Sequence, residues 1–274
     1  MVYHYCSIDT FLKIIKSKSL RLSDVGKSND YAERIYIENM IREEFEKKVS
    51  TFLSEDEINN ILSLEKRCRQ AMLDTINLYA MCFSEERDLL SQWRGYANGG
   101  TGVAIGFSKD ILQLVNKEQY GLVFQRVCYE EEQQREFAKK AVQVIIDTMQ
   151  RKNVFSAFAE VYENDIQNIG CMKQPGFSEE KEWRICIGMS PESRIAKSAT
   201  FTDFTLSEIK TQCIREQIIT YFDLSFERVC DDFLKEVIIG PSAKVTEKDI
   251  YTSLWINGFD ANKIHITKSQ ITYR

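Results

Sequence analysis

The chain has 274 residues, which is long enough for one large domain or two modest ones. Hydrophobic residues make up 43% and charged residues 28%, values typical of a globular protein and far from those of a disordered chain. The formal net charge of -5 argues against a protein that grips nucleic acid over a broad basic surface, although it leaves a local basic groove open.

The cysteine pattern argues for a reducing compartment. The eight cysteines are spread singly, without a CxxC pair, and the chain has only two histidines, which argues against a structural zinc site. Cys82 and Cys186 lie inside apolar runs, where a free thiol acts as a small hydrophobe. The N-terminus lacks a signal-peptide pattern, and no apolar stretch approaches the roughly 18 residues of a membrane-spanning helix. We therefore expect a cytoplasmic protein that does not enter a membrane.

The first third of the chain is predicted to begin with a small β-α-β unit. Val2 to Tyr5 is a predicted strand, Ser7 caps a helix with apolar residues at helical spacing, and a second strand is expected near Leu20 to Leu22. Residues 31–79 then have helical patterns, and so do residues 130–170. We interpret these two segments as helical insertions within a single α+β domain that spans residues 1–274.

The remaining segments are predicted to build the sheet. A strand through Met81 to Phe83 is followed by a short helix around Trp93, a glycine-rich turn at 98–102 and a strand from Val103 to Phe107. Later strands are expected near 182–187, 217–222, 236–239 and 264–266, with a helix near 246–255.

Two segments near strand ends carry candidate chemistry. His4 alternates with two tyrosines, and a hydrogen-bonded core histidine explains its position as well as a functional one does. In the second segment, backbone amides of the turn from Asn98 to Gly102 can approach an anion, and Arg94 can supply positive charge. The alternative for this segment is an ordinary hairpin with Trp93 in the core, because the pattern is not G-x-G-x-x-G.

The strand that begins at Glu182 alternates between two kinds of residue. Trp183 and Ile185 define a predicted core face, and Glu182 and Arg184 define a polar face. A carboxylate fixed beside a guanidinium stays ionised, which suits an electrostatic stabiliser of developing positive charge. A structural ion pair on an exposed sheet face is the alternative.

Several longer segments support a family assignment. The chain contains HYCSIDTFLKIIKSKSLRLSD, SND, CFSEERDLLSQWRGYANGGTGVAIGF, KQPGFSEEKEWRI and KEVIIGP. Together these segments resemble a widespread bacterial family of proteins of unknown function, from the start of the chain to about Pro241. The central and EKEWR segments are the most specific.

That family is in turn similar to the ADP-ribosyltransferase superfamily, whose members place a first-strand His, an aromatic residue and a late-strand Glu around NAD. The resemblance implies a mixed, split central sheet with inserted helices, and NAD as the substrate. It implies that His4 holds a ribose hydroxyl and that Glu182 is the catalytic carboxylate. Tyr96 is the first choice for the aromatic residue, with Trp93 and Tyr36 as rivals.

The candidate residues are compatible with cleavage of NAD. Breaking the bond to nicotinamide passes through an oxocarbenium-like state, as in glycoside hydrolysis, and a carboxylate near the ribose stabilises that state. Arg94, Arg21 and Arg184 are the candidates to neutralise the pyrophosphate, with Arg94 the first choice. Asn29 and Asp30 lie in a loop that can close over the cofactor.

Three functional hypotheses follow. The first is an NAD-consuming ADP-ribosyltransferase or NAD glycohydrolase that serves as a bacterial toxin or phage-defence effector, with protein, nucleic acid or water as the acceptor. The second is a metal-dependent phosphodiesterase or nuclease with Asp88, Glu179, Glu180 and Glu182 as metal ligands. The third is a binding module without turnover, in which the helices of residues 31–79 dock a partner protein.

Overall fold

The structure is a computed structural model, and it describes residues 1–27, 31–116, 121–189, 198–200, 203–214 and 216–272. The strands are β1 (Val2–Cys6), β2 (Ser19–Asp24), β3 (Asn77–Ser84), β4 (Val103–Phe107), β5 (Leu122–Arg126), β6 (Glu182–Met189), β7 (Ala199–Thr200), β8 (Thr205–Leu206), β9 (Lys210–Ile214), β10 (Gln217–Ser225), β11 (Leu234–Ile239) and β12 (His265–Lys268). The helices are α1 (Ile8–Ser17), α2 (Tyr31–Val49), α3 (Glu55–Thr75), α4 (Leu90–Gly95), α5 (Lys109–Gln113), α6 (Glu131–Met149), α7 (Val154–Asn164), α8 (Ile166–Ile169), α9 (Cys230–Phe233) and α10 (Glu247–Ile256).

The opening β-α-β unit forms as predicted. The Ser7 side chain accepts a hydrogen bond from the backbone N–H of Thr10, which caps the first turn of α1. Phe11, Ile14 and Ile15 recur at helical spacing and are buried against the sheet. The helix ends where Lys18 adopts a left-handed conformation with φ 46°, and β2 starts at the next residue.

Within the described residues the strands form one 12-stranded mixed sheet, which confirms the predicted α+β class. The main path runs β12-β11-β4-β1-β3-β2-β10-β8-β7. β6 pairs with β3 and β5, and β9 pairs with β10. The β11 and β12 pair is parallel, and the other pairs between named strands are antiparallel.

One edge of β3 changes its partner along its length. At the end of β3, Ser84 pairs with Tyr3 of β1, whereas Ala80 pairs with Ser23 of β2. Between these two points the described residues provide no strand partner for this edge of β3. β1 and β3 therefore separate beyond their first pair, and a gap opens in the sheet that side chains occupy.

The other edge of β3 is paired with β6 from end to end. Ile185 and Ile187 of β6 join the main apolar core, as the alternation predicts. The opposite face of β6 carries the charged row and is not exposed, so the alternative of an ion pair on an exposed sheet face is wrong. Arg184 is only 1% exposed and Cys186 is fully buried, because the chain around α8 covers this face as well.

The close approach of α8 depends on a glycine of β6. A Cβ atom at Gly188 would lie 2.2 Å from Cγ2 of Ile166, a distance that two carbon atoms do not tolerate. Gly188 alternates in step with Glu182 and Arg184, so it lies on the same face of the strand. The glycine thus lets α8 close over the charged row of β6.

The two predicted helical insertions pack on each other. α2, α3, α6 and α7 share an apolar cluster in which the rings of Phe45 and Phe158 meet edge to face, with centroids 5.2 Å apart. Ser54 and Glu57 form a capping box at the start of α3. The first insertion ends at Thr75, since residues 77–79 belong to β3. The assignment of the whole chain to one domain stays a prediction.

Among the described residues, the helices are each too short or too polar to cross a bilayer.

The helical cluster provides a test of the fold. Phe45 is fully buried, so Phe45→Ala should lower the free energy of unfolding by about 3–5 kcal/mol, the usual cost of removing a core phenylalanine. Phe52 follows α2 and is 59% exposed, so Phe52→Ala should change it by no more than about 0.5 kcal/mol. Equilibrium unfolding in urea measures both changes. An equal loss of unfolding free energy in the two variants would contradict the burial of Phe45 in the helical cluster.

Candidate functional site

A cavity of about 60 Å³ lies on one face of the sheet, beside the gap between β1 and β3. Its volume holds a few water molecules or a small flat group. Segments far apart in the sequence meet there, and they are the segments that support the family resemblance: the first strand, the end of β3, α4 and the start of β6. The lining residues are Tyr3, His4, Tyr5, Cys82, Phe83, Gln92, Tyr96, Glu180 and Glu182.

His4 bridges the gap in the sheet. Its Nδ1 lies 2.9 Å from the carbonyl oxygen of Cys82, and its ring meets Phe83 edge to face with centroids 6.1 Å apart. A carbonyl only accepts hydrogen bonds, so Nδ1 carries the proton in this contact. Burial lowers the pKa of His4, and the bond to Cys82 opposes that shift only in part. The imidazole is therefore neutral near pH 7, and its Nε2 is a hydrogen-bond acceptor.

Glu182 is held by two buried cations. Arg184 donates from Nε to Oε1 at 2.7 Å and from Nη2 to Oε2 at 3.1 Å. Lys173 donates to Oε2 at 2.9 Å and also to Oε2 of Glu180 at 2.6 Å. Lys173 and Arg184 are each 1% exposed and Glu182 is 5% exposed, so this is a buried cluster of two cations and two carboxylates.

The cluster keeps Glu182 ionised. Burial raises the pKa of this carboxyl group, but the charges of Arg184 and Lys173 outweigh burial, with hydrogen bonds from Arg184 and Cys82 adding to them, and lower it to about 2. Glu182 thus offers a fixed negative charge at neutral pH and cannot act as a proton donor there. The sequence pattern of β6 predicted this state, an ionised carboxylate beside a guanidinium.

A tight turn brings Glu182 to the cavity. Pro175 starts a 3₁₀ helix that ends at Glu180, and Lys181 then takes a left-handed conformation with φ 42°. The hydroxyl of Ser84 donates to the carbonyl of Glu180 at 2.6 Å, which ties this turn to the end of β3. Reversal at Lys181 places Glu180 and Glu182 on the same cavity wall.

His4 and Glu182 line the same cavity, although the strand registers place them in different rows of the sheet. Tyr3 pairs with Ser84, and Ser84 pairs with Glu182, so Tyr3 shares the row of Glu182 and His4 does not. His4 and Glu182 therefore start from opposite faces of the sheet. They meet because β1 and β3 separate and the imidazole of His4 lies between the two strands.

The three candidate aromatic residues have different placements. Tyr96 lines the cavity, is 51% exposed and donates from its hydroxyl to Oε1 of Glu180 at 3.4 Å. Trp93 is fully buried and donates its indole N–H to Asp88 at 2.6 Å, so it lies in the core and not against a ligand. Tyr36 lies in the helical cluster, where its hydroxyl donates to Gln134.

The candidate arginines also separate. Arg184 is buried behind Glu182 and donates from Nη1 to the carbonyl of Gly170 at 2.6 Å, so it positions Glu182 and does not reach a pyrophosphate. Arg94 is exposed on α4, takes part in other interactions within the protein and is not among the residues that line the cavity. Asn29 and Asp30 lie outside the described residues.

Arg21 lines a second, larger cavity of about 500 Å³. Its guanidinium lies 3.9 Å from the ring centroid of Tyr221, and it contacts the side chains of Asp223 and Gln212. His4 lines this cavity too, so its side chain forms part of the wall of both cavities. Polar groups from α1, β2 and β9 complete the lining, including Thr10, Lys13, Ser17, Ser19, Ser23 and Gln212.

The glycine-rich turn does not present the expected row of amides. The N–H of Gly100 donates to the carbonyls of Trp93 and Ala97, and the N–H of Gly102 donates to Ala97 at 2.9 Å. A Cβ atom at Gly102 would lie 2.0 Å from the carbonyl oxygen of Cys6, so the glycine is needed for close packing of the chain. The amides of Gly100, Thr101 and Gly102 thus bond within the turn and to α4, and they are not offered to an anion.

The alternative metal ligands are not gathered at one point. Among the described residues, no group of three or more His, Cys, Asp and Glu side chains is arranged to hold a metal ion. Asp88 instead accepts hydrogen bonds from Trp93, Ser269 and the backbone of Gln270. Glu180 and Glu182 are bound to Lys173, and Glu179 is exposed.

Sequence reasoning missed two residues of this site. Gln92 lies between Ser91 and the core residue Trp93, and the pattern drew attention to Trp93 and Arg94 on either side of it. Lys173 lies in a segment that reads as a loop, so its burial had no sequence signal. A buried lysine needs carboxylate partners, and the glutamates at 180 and 182 were the available hint.

The charge cluster makes a pH-dependent prediction. Glu182→Gln should lower the free energy of unfolding by about 3–5 kcal/mol at neutral pH, because it leaves two buried cations with one carboxylate. The pKa of Glu182 is lowered from 4.5 to about 2 in the folded protein, so its contribution is complete above the unfolded value and is lost as the pH falls toward the folded value. The difference between wild type and variant should therefore be constant down to about pH 5 and shrink below it.

Urea unfolding at a series of pH values measures this difference. Glu179→Gln is the matched control, because Glu179 is an exposed glutamate three residues away. Its variant should match the wild type at each pH. A Glu182→Gln protein as stable as the control at neutral pH would rule out the cluster.

Comparison with known proteins identifies part of the chain. The model of a family described as "Protein of unknown function (DUF2971)" matches residues 92–185, a segment that includes Gln92, Tyr96, Glu180 and Glu182 of the cavity. Searches of curated proteins and of solved structures found no match to the chain. The predicted resemblance to a family of proteins of unknown function is confirmed over residues 92–185, about a third of the chain.

Proposed function

We propose that this protein cleaves the bond between nicotinamide and ribose in NAD, as an ADP-ribosyltransferase or an NAD glycohydrolase. One observation carries the proposal: His4 and Glu182, the two residues that the superfamily resemblance assigns to NAD, line one cavity with Tyr96 although 178 positions separate them in the sequence (182 minus 4). The gap between β1 and β3 adds support, because a split central sheet is what the same resemblance implies.

Glu182 has the electrostatic properties that this reaction needs. When the C1′–N bond breaks, its electron pair leaves with nicotinamide, and positive charge develops on the ribose. A carboxylate that is already ionised and held in place stabilises this charge without reorganisation. Arg184 and Lys173 offset the charge of Glu182 in the resting protein, so their main contribution in the proposal is to fix its position.

His4 and Tyr96 would bind the parts of NAD on either side of the broken bond. The neutral imidazole of His4 has Nε2 as an acceptor, which suits a ribose hydroxyl. Tyr96 offers a half-exposed aromatic ring to the nicotinamide. A nucleophile then adds to C1′ and loses its proton. With water as the nucleophile the protein is a glycohydrolase, and with a group on a macromolecule it is a transferase.

The larger cavity would take the rest of the dinucleotide. It shares the wall residue His4 with the smaller one, and Arg21 and Lys13 are the cations in its lining. A guanidinium matches two phosphate oxygens in a way that an ammonium cannot, so Arg21 is our choice for the pyrophosphate. Arg94, the first choice from the sequence, lies outside both cavities.

We also propose a cellular location and a biological role for the protein. The eight cysteines all fall within the described residues, and none of them forms a disulfide, not even Cys171 and Cys186, whose sulfur atoms lie 3.5 Å apart. This favours the reducing cytoplasm, where NAD is also available. An NAD-consuming enzyme of this kind suits a bacterial toxin or phage-defence effector.

The direct test is release of nicotinamide from NAD by the pure protein in the presence of a metal chelator. Wild type should release nicotinamide, and Glu182→Gln should be slower by a factor on the order of 100 or more, with NAD affinity much less affected. Rates are normalised to the folded fraction from circular dichroism, because this variant is expected to lose stability. Glu179→Gln serves as the control and should keep the wild-type rate.

The outcomes separate the possible roles of Glu182. A Glu182→Gln variant that keeps full turnover per folded molecule would show that the carboxylate is only structural. Wild type that releases no nicotinamide under any condition would end the proposal, and metal-dependent cleavage of nucleic acid would replace it with the second hypothesis.

Arg21 makes a further prediction about binding. Arg21→Ala should weaken NAD binding about tenfold and Arg21→Lys by less, since an ammonium keeps the charge and loses the fork. Arg94→Ala is the matched comparison and should have a smaller effect. Calorimetry with the inactive Glu182→Gln background gives affinities without turnover. An affinity that depends on Arg94 and not on Arg21 would place the pyrophosphate outside the larger cavity.

A further inference from the structure

Gln92 is a buried glutamine at the wall of the smaller cavity. The residue is 7% exposed. Within the part of the chain that the structure describes, its side-chain amide makes no hydrogen bond. The amide atoms are not fully enclosed, so they open onto the cavity, where they can bind a ligand in place of water.

A second buried glutamine shows what a structural role looks like in this protein. Gln134 is fully buried, and its Nε2 donates to the carbonyls of Cys128 at 2.9 Å and Lys173 at 2.7 Å. Its Oε1 accepts the hydroxyl of Tyr36 at 3.0 Å. Both ends of this amide are used inside the fold, whereas the amide of Gln92 is left for the cavity.

The short helix that carries Gln92 is held firmly. Trp93, the next residue, is fully buried, lies edge to face on Tyr5 with ring centroids 4.8 Å apart, and donates its indole N–H to Asp88. The backbone N–H of Leu89 donates to the hydroxyl of Tyr5 at 3.1 Å. α4 is thereby fixed to β1, and Gln92 is placed before any ligand arrives.

The surroundings of Gln92 define the ligand that fits. Tyr3, Tyr5, Phe83 and Tyr96 give the cavity aromatic walls, which suit a flat ring. An amide side chain has a donor and an acceptor side by side, and a primary carboxamide is its complement. Glu180 and Glu182 line the same cavity and repel a carboxylate in that place.

We infer that Gln92 binds the primary carboxamide of an aromatic amide through two hydrogen bonds. Its Nε2–H donates to the carboxamide oxygen, and the carboxamide N–H donates to its Oε1. The identity of this amide as the nicotinamide of NAD rests on the proposed function. In that setting Gln92 is a specificity-determining residue that distinguishes NAD from its carboxylate analogue, nicotinic acid adenine dinucleotide.

The test compares the two dinucleotides in wild type and in Gln92→Met, which keeps the shape of the side chain and removes the amide. Wild type should prefer NAD by about 10- to 100-fold in kcat/KM, because the carboxylate analogue has no N–H to donate to Oε1 of Gln92. The kcat/KM of the variant for NAD should fall about 10- to 100-fold, and its preference for NAD over the carboxylate analogue should become smaller. Gln143→Met, at an exposed glutamine of α6, should behave as wild type.

Thermal unfolding distinguishes a glutamine that binds a ligand from one that stabilises the fold. Gln92→Met should keep the melting temperature, because it breaks no hydrogen bond among the described residues. Gln134→Met should lower it, because the carbonyl of Lys173 and the hydroxyl of Tyr36 lose their partner. A loss of melting temperature in Gln92→Met as large as that in Gln134→Met, or an unchanged preference between the dinucleotides, would overturn the inference.

Binding without turnover separates this inference from the proposed function. Saturation-transfer NMR with nicotinamide and with nicotinate, on wild type and Gln92→Met, needs no reaction. Nicotinamide binding that depends on Gln92, in a protein that does not cleave NAD, would support the carboxamide site and reject the proposed function. Cleavage of NAD with equal rates in wild type and Gln92→Met would reject the carboxamide site alone.

Discussion

The buried ion pair between Glu182 and Arg184, extended by Lys173, is the interaction on which the site depends. Removing these charges from water is costly, and the cost is offset only where each charge is paired and hydrogen-bonded. The short contacts of Arg184 and Lys173 to the carboxylate meet this condition. This condition requires both the turn before β6 and the cover formed by α8. Together they bring Lys173 to Glu182 and exclude water from the cluster.

The same cluster limits what Glu182 can do. Its pKa of about 2 leaves it as a permanent anion at neutral pH, so chemistry at this cavity that relies on Glu182 must use its charge. A pair of carboxylates that share protons would need the opposite environment, with fewer cations nearby. The arrangement is therefore suited to a reaction in which positive charge develops on the substrate.

The gap between β1 and β3 gives the cavity its position. A continuous ladder would have placed the side chains of neighbouring strands strictly on one face or the other. Because β3 exchanges β1 for β2 along its edge, the imidazole of His4 takes the place of a backbone partner at the carbonyl of Cys82. Polar atoms thus reach the interior of the sheet at a point where α4, β1 and β6 converge.

The cluster of helices α2, α3, α6 and α7 has its own apolar core, so packing of these helices on each other explains their presence.

Local patterns in the sequence determined the elements of this protein. The cap at Ser7, the capping box at Ser54 and the alternation along β6 depend on neighbouring residues, so helices, strands and the α+β class were predictable. The resemblance to a known superfamily, and not these local patterns, singled out His4, Tyr96 and Glu182, three residues that line the cavity. Tertiary structure decided what lies beside each of them. Burial of Arg184 and Trp93, the pairing of Lys173 with Glu182 and the position of Gln92 at the cavity wall arise from contacts between distant segments. A strand or helix pattern contains no information on what covers its second face.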